Sequence, residues 1–281
     1  MNKKLMRTVM SLLLSFVMVL GIMPAVTVSA EADYLFGMDV LWVGGVSLRT
    51  NGQVVYGDTG TATLSGTADA PVLTLNEFSY TGPGYDLYNN ERKAAFCYKG
   101  DKDLTIILVG ENKFVQQDNN LTHSWGMNIY NTSIPTVTIT GSEGDSLSVK
   151  AGDTTYSSEG LYGAFNLKLT GGEVIYIGGT VTENDSFQTP TSYGILQIGG
   201  HVEITGGKLI TKGNTQAVGS ITFLGDAIVI KASENIDGAD LTACTRSELD
   251  GKKYVEITAP VTDSETSGSS TGDGYVKDIT G

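Results

Sequence analysis

The 281-residue chain carries 18 Lys plus Arg against 31 Asp plus Glu, which gives a formal net charge of −13. An acidic chain of this kind is not expected to bind nucleic acid or an anionic membrane, because both repel negative charge. Gly is abundant (36) and Pro is scarce (6), a composition typical of a folded chain with many turns rather than of a disordered one.

Residues 1–30 have the pattern of a secretory signal peptide. Lys3, Lys4 and Arg7 are followed by the apolar run Ser11–Met23, and Val28-Ser29-Ala30 forms a small-residue cleavage site. The apolar run is shorter than the roughly 20 residues that a membrane-spanning helix needs. We therefore predict a secreted protein, extracellular or associated with the cell surface, with no membrane insertion after cleavage.

Residues 31–70 differ in pattern from the rest of the chain. Asn51-Gly52 is typical of a hairpin turn and predicts pairing of Val46–Leu48 with Val54–Tyr56. Solenoid proteins need atypical terminal units that cover their open apolar ends. We therefore predict an N-terminal β cap over 31–70, with Trp42 in its core.

Residues 71–260 contain a repeat of two short strands separated by a glycine corner. Leu167–Gly178 and Val202–Gly213 are the clearest copies, and looser copies begin at Ile106, Val137 and Ile221. Alternation of apolar and polar residues is typical of strands with one buried face, and the glycines permit sharp bends. Two short strands cannot bury their apolar faces alone, so the copies are expected to stack.

Superposition of the copies predicts side-chain columns along the solenoid. The first inward column is Ile106, Val137, Leu167, Val202 and Ile221; the second is Leu108, Ile139, Leu169, Ile204 and Phe223; the third is Val174, Leu209 and Ile228. The outward columns are Ile107, Thr138, Lys168, Glu203 and Thr222, and the aliphatic set Ile175, Ile210 and Val229. With spacings that vary between copies and no amphipathic helix, this pattern favours an all-β fold, a single-stranded parallel β-helix.

The end of the chain and the cysteines complete the domain prediction. Residues 261–281 are rich in Ser, Thr, Gly and acidic residues, which predicts a flexible linker. Cys97 and Cys244 lie near opposite ends of the predicted solenoid, so two buried free thiols are favoured over a disulfide bond.

Catalytic motifs are weak, and we predict no catalytic residues. His123 and His201 lack partners at metal or triad spacing, and the arginines Arg49, Arg92 and Arg246 lie outside the well-defined repeat strands. A polysaccharide lyase needs a basic residue and a carboxylate cluster for calcium, and a glycoside hydrolase needs two facing carboxylates. A lyase or hydrolase on the same fold is the alternative to a non-enzymatic protein.

No cofactor is implied, and calcium remains an open option without an assigned metal site. The pairs Asp101/Asp103, Glu143/Asp145 and Glu183/Asp185 lie in turn-like stretches, where solvated corners are more frequent than calcium ligands.

Tyrosines and one tryptophan near the repeat starts are the candidate carbohydrate-binding residues. Aromatic faces stack on sugar rings while nearby polar groups bind the hydroxyls. The candidates, which lie in or beside the segments preceding the repeats, are Trp125, Tyr130, Tyr156, Tyr162 and Tyr193. Packing at coil corners is the alternative for any one of them.

Several stretches resemble a known family. They are Leu41–Val46, Leu73–Asn76, Asp103–Ile106 with Gly110-Glu111-Asn112, and the Thr-Gly-Gly copies at 170–172 and 205–207. The chain resembles, over roughly residues 35–232, secreted bacterial carbohydrate-binding domain-containing proteins from Gram-positive anaerobes. The resemblance implies a right-handed β-helix similar to pectate lyases, and it supplies no catalytic motif.

These observations lead to one expectation and two alternatives. We expect a secreted or cell-surface, non-catalytic domain that binds a polysaccharide or other glycan through one face of the solenoid. The alternatives are a polysaccharide lyase or glycoside hydrolase, and a structural adhesin or spacer module.

Overall fold

The structure is a computed structural model that describes residue 35 and residues 40–118, 121–182, 189–224 and 228–259. The predicted signal peptide (1–30), the predicted linker (261–281) and most of residues 31–39 lie outside these described residues. The boundaries of the predicted domains therefore remain predictions.

The described residues form 21 strands. In chain order the first are β1 (Leu41–Val43), β2 (Val46–Leu48), β3 (Val54–Tyr56), β4 (Thr59–Thr67), β5 (Ala70–Gly82), β6 (Tyr85–Tyr88), β7 (Arg92–Tyr98), β8 (Leu104–Val109), β9 (Glu111–Gln116) and β10 (Leu121–Tyr130). Next are β11 (Thr136–Thr140), β12 (Ser146–Lys150), β13 (Thr154–Ala164), β14 (Asn166–Ile177), β15 (Thr191–Gly199) and β16 (Val202–Lys212). The last are β17 (Gln216–Gly219), β18 (Phe223–Leu224), β19 (Val229–Ser233), β20 (Thr242–Ala243) and β21 (Tyr254–Thr258), with a 3₁₀ turn at Arg246–Glu248.

Stacked parallel strands make a solenoid of about four turns, which confirms the predicted all-β parallel β-helix. Its strands lie on three faces. Face A stacks the first half of β5, then β8, β11 and the first halves of β14 and β16. Face B stacks the second half of β5, then β9, β12 and the second halves of β14 and β16. Face C stacks β7, β10, β13, β15 and β17.

The corner between Face A and Face B favours glycine in β14 and β16. The strands β14 and β16 each continue from one face to the other through a Gly-Gly pair, where their pairing register shifts. Gly172 and Gly207 have φ values of +77° and +75°, in the left-handed region that side chains with a Cβ rarely adopt. The predicted glycine corner is therefore confirmed at these two copies.

The predicted columns need a correction of register. Val137, Leu167 and Val202 are direct neighbours, as predicted, and so are Ile139, Leu169 and Ile204. However, Val137 pairs with Leu104 and Val202 pairs with Phe223, so the copies starting at Ile106 and Ile221 were each placed two residues out of register. A shift of two residues leaves every side chain on the same face, so the alternation of the sequence does not reveal it.

The expected third column and outer aliphatic row end after two copies. Val174 pairs with Leu209, and Ile175 pairs with Ile210, as expected. The next strand on Face B is the antiparallel β21, which places Ile257 beside Leu209 and Glu256 beside Ile210. Ile228 and Val229 therefore do not join these rows. In the outer row, the side chain of Ile210 is only 6% exposed.

The strands before the first coil are antiparallel, as the change of pattern in 31–70 suggests. β1 pairs with β7, and β4 pairs with β5. The predicted hairpin at Asn51-Gly52 is wrong, because β2 pairs with β1 across Gly44-Gly45 and β3 pairs with β4. β2 therefore has β1 as its antiparallel partner, and β3 pairs with β4, which is longer than β2.

A column of small residues fixes the path of Face C. Ala95, Gly126, Gly160 and Gly194 occupy equivalent places on β7, β10, β13 and β15. A Cβ at Gly160 would lie 2.5 Å from the backbone N of Ile177 and 2.6 Å from the carbonyl O of Gly194. The strand therefore approaches Face B too closely for any side chain.

We predict that Gly160→Ala lowers the free energy of unfolding by at least about 2 kcal/mol, because neither backbone group can give way without moving its strand. Gly199→Ala is the matched control, since its Cβ would have only ordinary contacts, with Ala164 at 3.6 Å and Ile134 at 3.7 Å. It should change stability by less than about 1 kcal/mol. Urea unfolding followed by fluorescence measures both, and equal effects would contradict the close approach.

Candidate ligand-binding groove

The outward side chains of Face C form two rows on either side of the small-residue column. One row runs through Tyr85, Ala94, Trp125, Glu159 and Tyr193, each on a strand paired with the next. The other row runs through Trp42, Cys97, Asn128, Tyr162 and Leu196. On each strand, the two consecutive residues between the rows turn inward. Residues three apart in sequence, such as Trp125 and Asn128, therefore both face outward.

A ladder of buried serines holds the first row in place. Ser124, Ser158 and Ser192 directly precede Trp125, Glu159 and Tyr193, and all three are at most 1% exposed. Ser124 Oγ accepts a hydrogen bond from Gly152 N at 2.7 Å, and Ser158 Oγ donates to Gly152 O at 2.7 Å. Ser192 Oγ donates to Gly179 O at 2.8 Å. These bonds anchor each Face C strand to the adjoining corner and so fix the outward residue that follows.

A groove of about 660 Å³ crosses these strands on Face C. The lining residues are Leu87, Tyr88, Arg92, Lys99, His123, Trp125, Asn128, Tyr130, Tyr156, Ser157, Glu159, Tyr162, Thr191, Tyr193, Leu196 and Ile198. They come from β6, β7, β10, β13 and β15 and the residue after β7. All five candidates proposed from the sequence lie in this one groove.

The five aromatic candidates do not play equal parts in the groove. Trp125 is only 5% exposed and stacks on Tyr162, with ring centroids 5.0 Å apart and an interplanar angle of 17°. Tyr130 is 51% exposed at the end of β10. Tyr156, Tyr162 and Tyr193 are partly exposed. Trp125 therefore forms the floor of the groove, and the tyrosines supply the surface that a ligand can contact.

His123 lies between the aromatic rings at one side of the groove. Its ring centroid is 4.9 Å from that of Tyr156 and 6.1 Å from that of Trp125. Burial and the nearby Arg92 guanidinium lower the pKa of His123 from 6.5 to about 4. His123 is consequently neutral at physiological pH and serves as an aromatic and hydrogen-bonding surface.

Glu159 is a buried carboxyl in the groove floor, 1% exposed. The Ser157 hydroxyl donates a hydrogen bond to its Oε1. Its Oε2 has no hydrogen-bond partner, and neither has Nε1 of Trp125 on the adjacent strand. Burial raises the pKa of Glu159 from 4.5 to about 7, against the opposing effects of the Ser157 hydroxyl and the nearby Trp125 indole N–H. The indole N–H of Trp125 thus lies near enough to stabilise the charged form of the carboxyl, although the two groups do not reach the geometry of a full hydrogen bond.

Sequence reasoning missed several residues of the groove. Glu159, His123 and Asn128 line it from outward positions of β10 and β13, and none of the three was among the predicted ligand-binding residues. Arg92 was placed outside the repeat strands, but it begins β7 and lines the groove. The parallel pairing that places Glu159 between Trp125 and Tyr193 could have identified it. That pairing can be read from the sequence only after the bend at the small-residue column is recognised.

Trp42 belongs to the outer side of Face C rather than to the solenoid core. It is 4% exposed and packs with Ala94, Cys97 and Trp125 in a cluster separate from the main core. Its ring stacks on Tyr85 at a centroid distance of 3.8 Å, and Lys99 Nζ lies 5.2 Å from the Trp42 ring. Trp42 is therefore a buried core residue, as expected, but its cluster lies on the outer side of Face C, because β1 pairs with β7.

The two cysteines do not form a disulfide bond, in agreement with the expectation of free thiols, but the expected burial is wrong for Cys244, which is partly exposed. Cys97 is buried in this outer cluster, and burial raises the pKa of its thiol to about 12. Its thiol is therefore uncharged at physiological pH.

The acidic pairs considered for calcium stabilise corners where they are described. Asp145 Oδ1 accepts from Gly110 N and Oδ2 accepts from Ser142 N, both at 2.7 Å. Asp103 Oδ1 accepts from Thr136 N at 2.8 Å. Glu183 and Asp185 lie outside the described residues. Within the described ranges, no group of three or more His, Cys, Asp or Glu side chains is placed to hold a metal ion.

Comparison with protein-family models, curated proteins and solved structures finds no match to this chain. In the part of the chain that the structure describes, no helix has the length and apolar character needed to cross a membrane. The resemblance to secreted carbohydrate-binding domains thus remains an expectation from the residues.

Glu159 and His123 should oppose each other in the pH dependence of stability. Glu159 has a raised pKa in the folded chain. Its contribution to the free energy of unfolding is therefore present below pH 4.5, and roughly 3 kcal/mol is lost as pH rises through about 7. His123 has a lowered pKa in the folded chain. Its contribution to the free energy of unfolding is therefore present above pH 6.5 and is lost as pH falls towards about 4.

We therefore expect the free energy of unfolding of Glu159→Gln, relative to wild type, to rise as pH increases from 4.5 to 7. For His123→Gln the same difference should fall as pH increases from 4 to 6.5. Urea titrations at half-unit pH steps measure both differences. Flat differences would show that neither group is perturbed by burial.

Proposed function

We propose that this protein is a secreted or cell-surface, non-catalytic domain that binds a polysaccharide in the Face C groove. The observation that carries the proposal is the convergence of five aromatic residues, chosen for sugar stacking, on one groove of about 660 Å³. Stacking of the coils brings these positions side by side, and aromatic side chains at several of them give the groove a surface on which a sugar chain can stack. Their convergence favours a shared ligand.

The chemistry of the groove suits a glycan. Partly exposed tyrosines present ring faces to the apolar side of a sugar, and Asn128, Ser157 and Thr191 add groups that hydrogen-bond hydroxyls. The groove crosses β7, β10, β13 and β15, which at the usual strand spacing span about 14 Å. A groove of this length accommodates more than one sugar ring and therefore favours an oligomeric chain over a monosaccharide.

The enzyme alternative has weaker support. Glycoside hydrolases place two carboxylates across the scissile bond, whereas Glu159 is the one Asp or Glu among the described residues of the groove. A calcium-dependent lyase needs a carboxylate cluster near its base, and Arg92 and Lys99 have no such cluster beside them in the described lining. Binding without catalysis requires only the stacking and hydroxyl-binding groups that the groove presents.

We predict that wild-type protein is retained on at least one insoluble polysaccharide from a panel of cellulose, chitin, xylan and de-esterified pectin. Tyr156→Ala and Tyr193→Ala should each weaken retention about five- to tenfold, because each removes one stacking ring. Tyr56→Ala is the matched control, since Tyr56 is 79% exposed and does not line the groove. Depletion isotherms measure all four proteins.

Two outcomes would contradict the proposal in different ways. Failure of wild type to bind any member of the panel would favour the spacer or adhesin alternative. Release of unsaturated oligosaccharides, detected by their ultraviolet absorbance, would establish a lyase.

A further inference from the structure

Two buried polar atoms without partners lie side by side in the groove floor. Trp125 and Glu159 are direct neighbours on the parallel strands β10 and β13. Trp125 Nε1 is a hydrogen-bond donor and Glu159 Oε2 an oxygen acceptor, and both are buried without a partner in the described structure. A buried polar group left unpaired is destabilising, and most such groups in folded proteins are paired.

The chemistry of the pair selects the group that completes it. A hydroxyl accepts a hydrogen bond through a lone pair and donates one through its proton, so a single hydroxyl can satisfy both atoms. A carboxylate has no proton to donate to Glu159, and an ammonium group has no lone pair for the indole N–H. A methyl group would leave both atoms unpaired.

We propose that Trp125 Nε1 and Glu159 Oε2 together form a subsite that binds one hydroxyl of the glycan, with the indole donating to the hydroxyl oxygen and the carboxyl oxygen accepting its proton. This inference rests on the proposed function, because the same groove must bind the glycan. It adds one specific contact, the recognition of a single hydroxyl beneath the stacking surface. This contact fixes the position of the glycan in the groove.

Ser157 and Thr191 line the groove beside the pair. Ser157 Oγ is hydrogen-bonded to Glu159 and lies 3.2 Å from Thr191 Oγ1. Because both subsite atoms are buried, the proposal includes a change of the Ser157 side-chain rotamer, in which Oγ moves from Glu159 to Thr191 and gives the ligand hydroxyl access to the pair.

The experiment uses the indole N–H as a direct reporter. The chain has two tryptophans, so a spectrum of indole-¹⁵N-labelled protein contains two indole N–H resonances, which Trp125→Phe and Trp42→Phe assign. Soluble probes are cellohexaose, chitohexaose, xylohexaose and hexagalacturonate, with binding measured independently by calorimetry. Trp42 is the internal control, because it is buried in the same cluster as Trp125 but does not line the groove.

A probe that binds should shift the Trp125 indole proton downfield, as its N–H gains an acceptor, and leave that of Trp42 unchanged. Trp125→Phe retains an aromatic ring but loses the donor, and it should weaken the binding of that probe about tenfold. Trp42→Phe should leave its affinity within about twofold of wild type.

The possible failures are distinguishable. A probe that binds by calorimetry without moving the Trp125 resonance would overturn the hydroxyl subsite and leave the proposed function standing. Absence of binding by all four probes would overturn the proposed function and the subsite together.

Discussion

In-register stacking of parallel strands is the constraint on which the rest of this structure depends. Each strand of Face C hydrogen-bonds to the next at a spacing of about 4.8 Å, so equivalent residues of successive coils lie in straight rows. Inside the solenoid these rows make the continuous apolar core that contains Leu73, Ile106, Ile139, Leu169 and Ile204. Outside it, the same register places Trp125, Glu159 and Tyr193 side by side, although each is 34 residues from the next in sequence. One constraint therefore builds both the core and the groove.

The groove depends on a second feature, the close approach of Face C to the neighbouring corner. The small-residue column at Ala95, Gly126, Gly160 and Gly194 lets each strand bend, and the buried serines bond the strands to the corner. As a result, residues on both sides of the small-residue column, such as Trp125 and Asn128 on β10, line one groove. Burial of Trp125 and Glu159 below the tyrosines follows from this bend. The electrostatic consequences are a carboxyl with a raised pKa and a histidine with a lowered pKa within one groove.

The fold was predictable from the sequence to a large extent, because alternation of apolar residues around Gly171 and Gly206 specifies which side chains turn inward. The register of the less regular copies was not predictable. Ile106 and Leu104 have the same inward orientation, and only the lengths of the intervening loops decide which of them pairs with Val137. The aromatic residues of the candidate groove were identifiable from composition and position. Glu159 was not, because a single acidic residue in a strand looks solvent-exposed until the bend beneath it is known.

The central claim, that distant segments form one in-register parallel ladder, is tested most directly by nuclear Overhauser effects between methyl groups. In a sample with labelled Leu and Val methyls, Leu167 should show cross-peaks to both Val137 and Val202, since it lies between them on Face A. Cross-peaks that instead joined these segments in an antiparallel order, or none between Leu167 and Val202, would contradict the ladder and with it the groove.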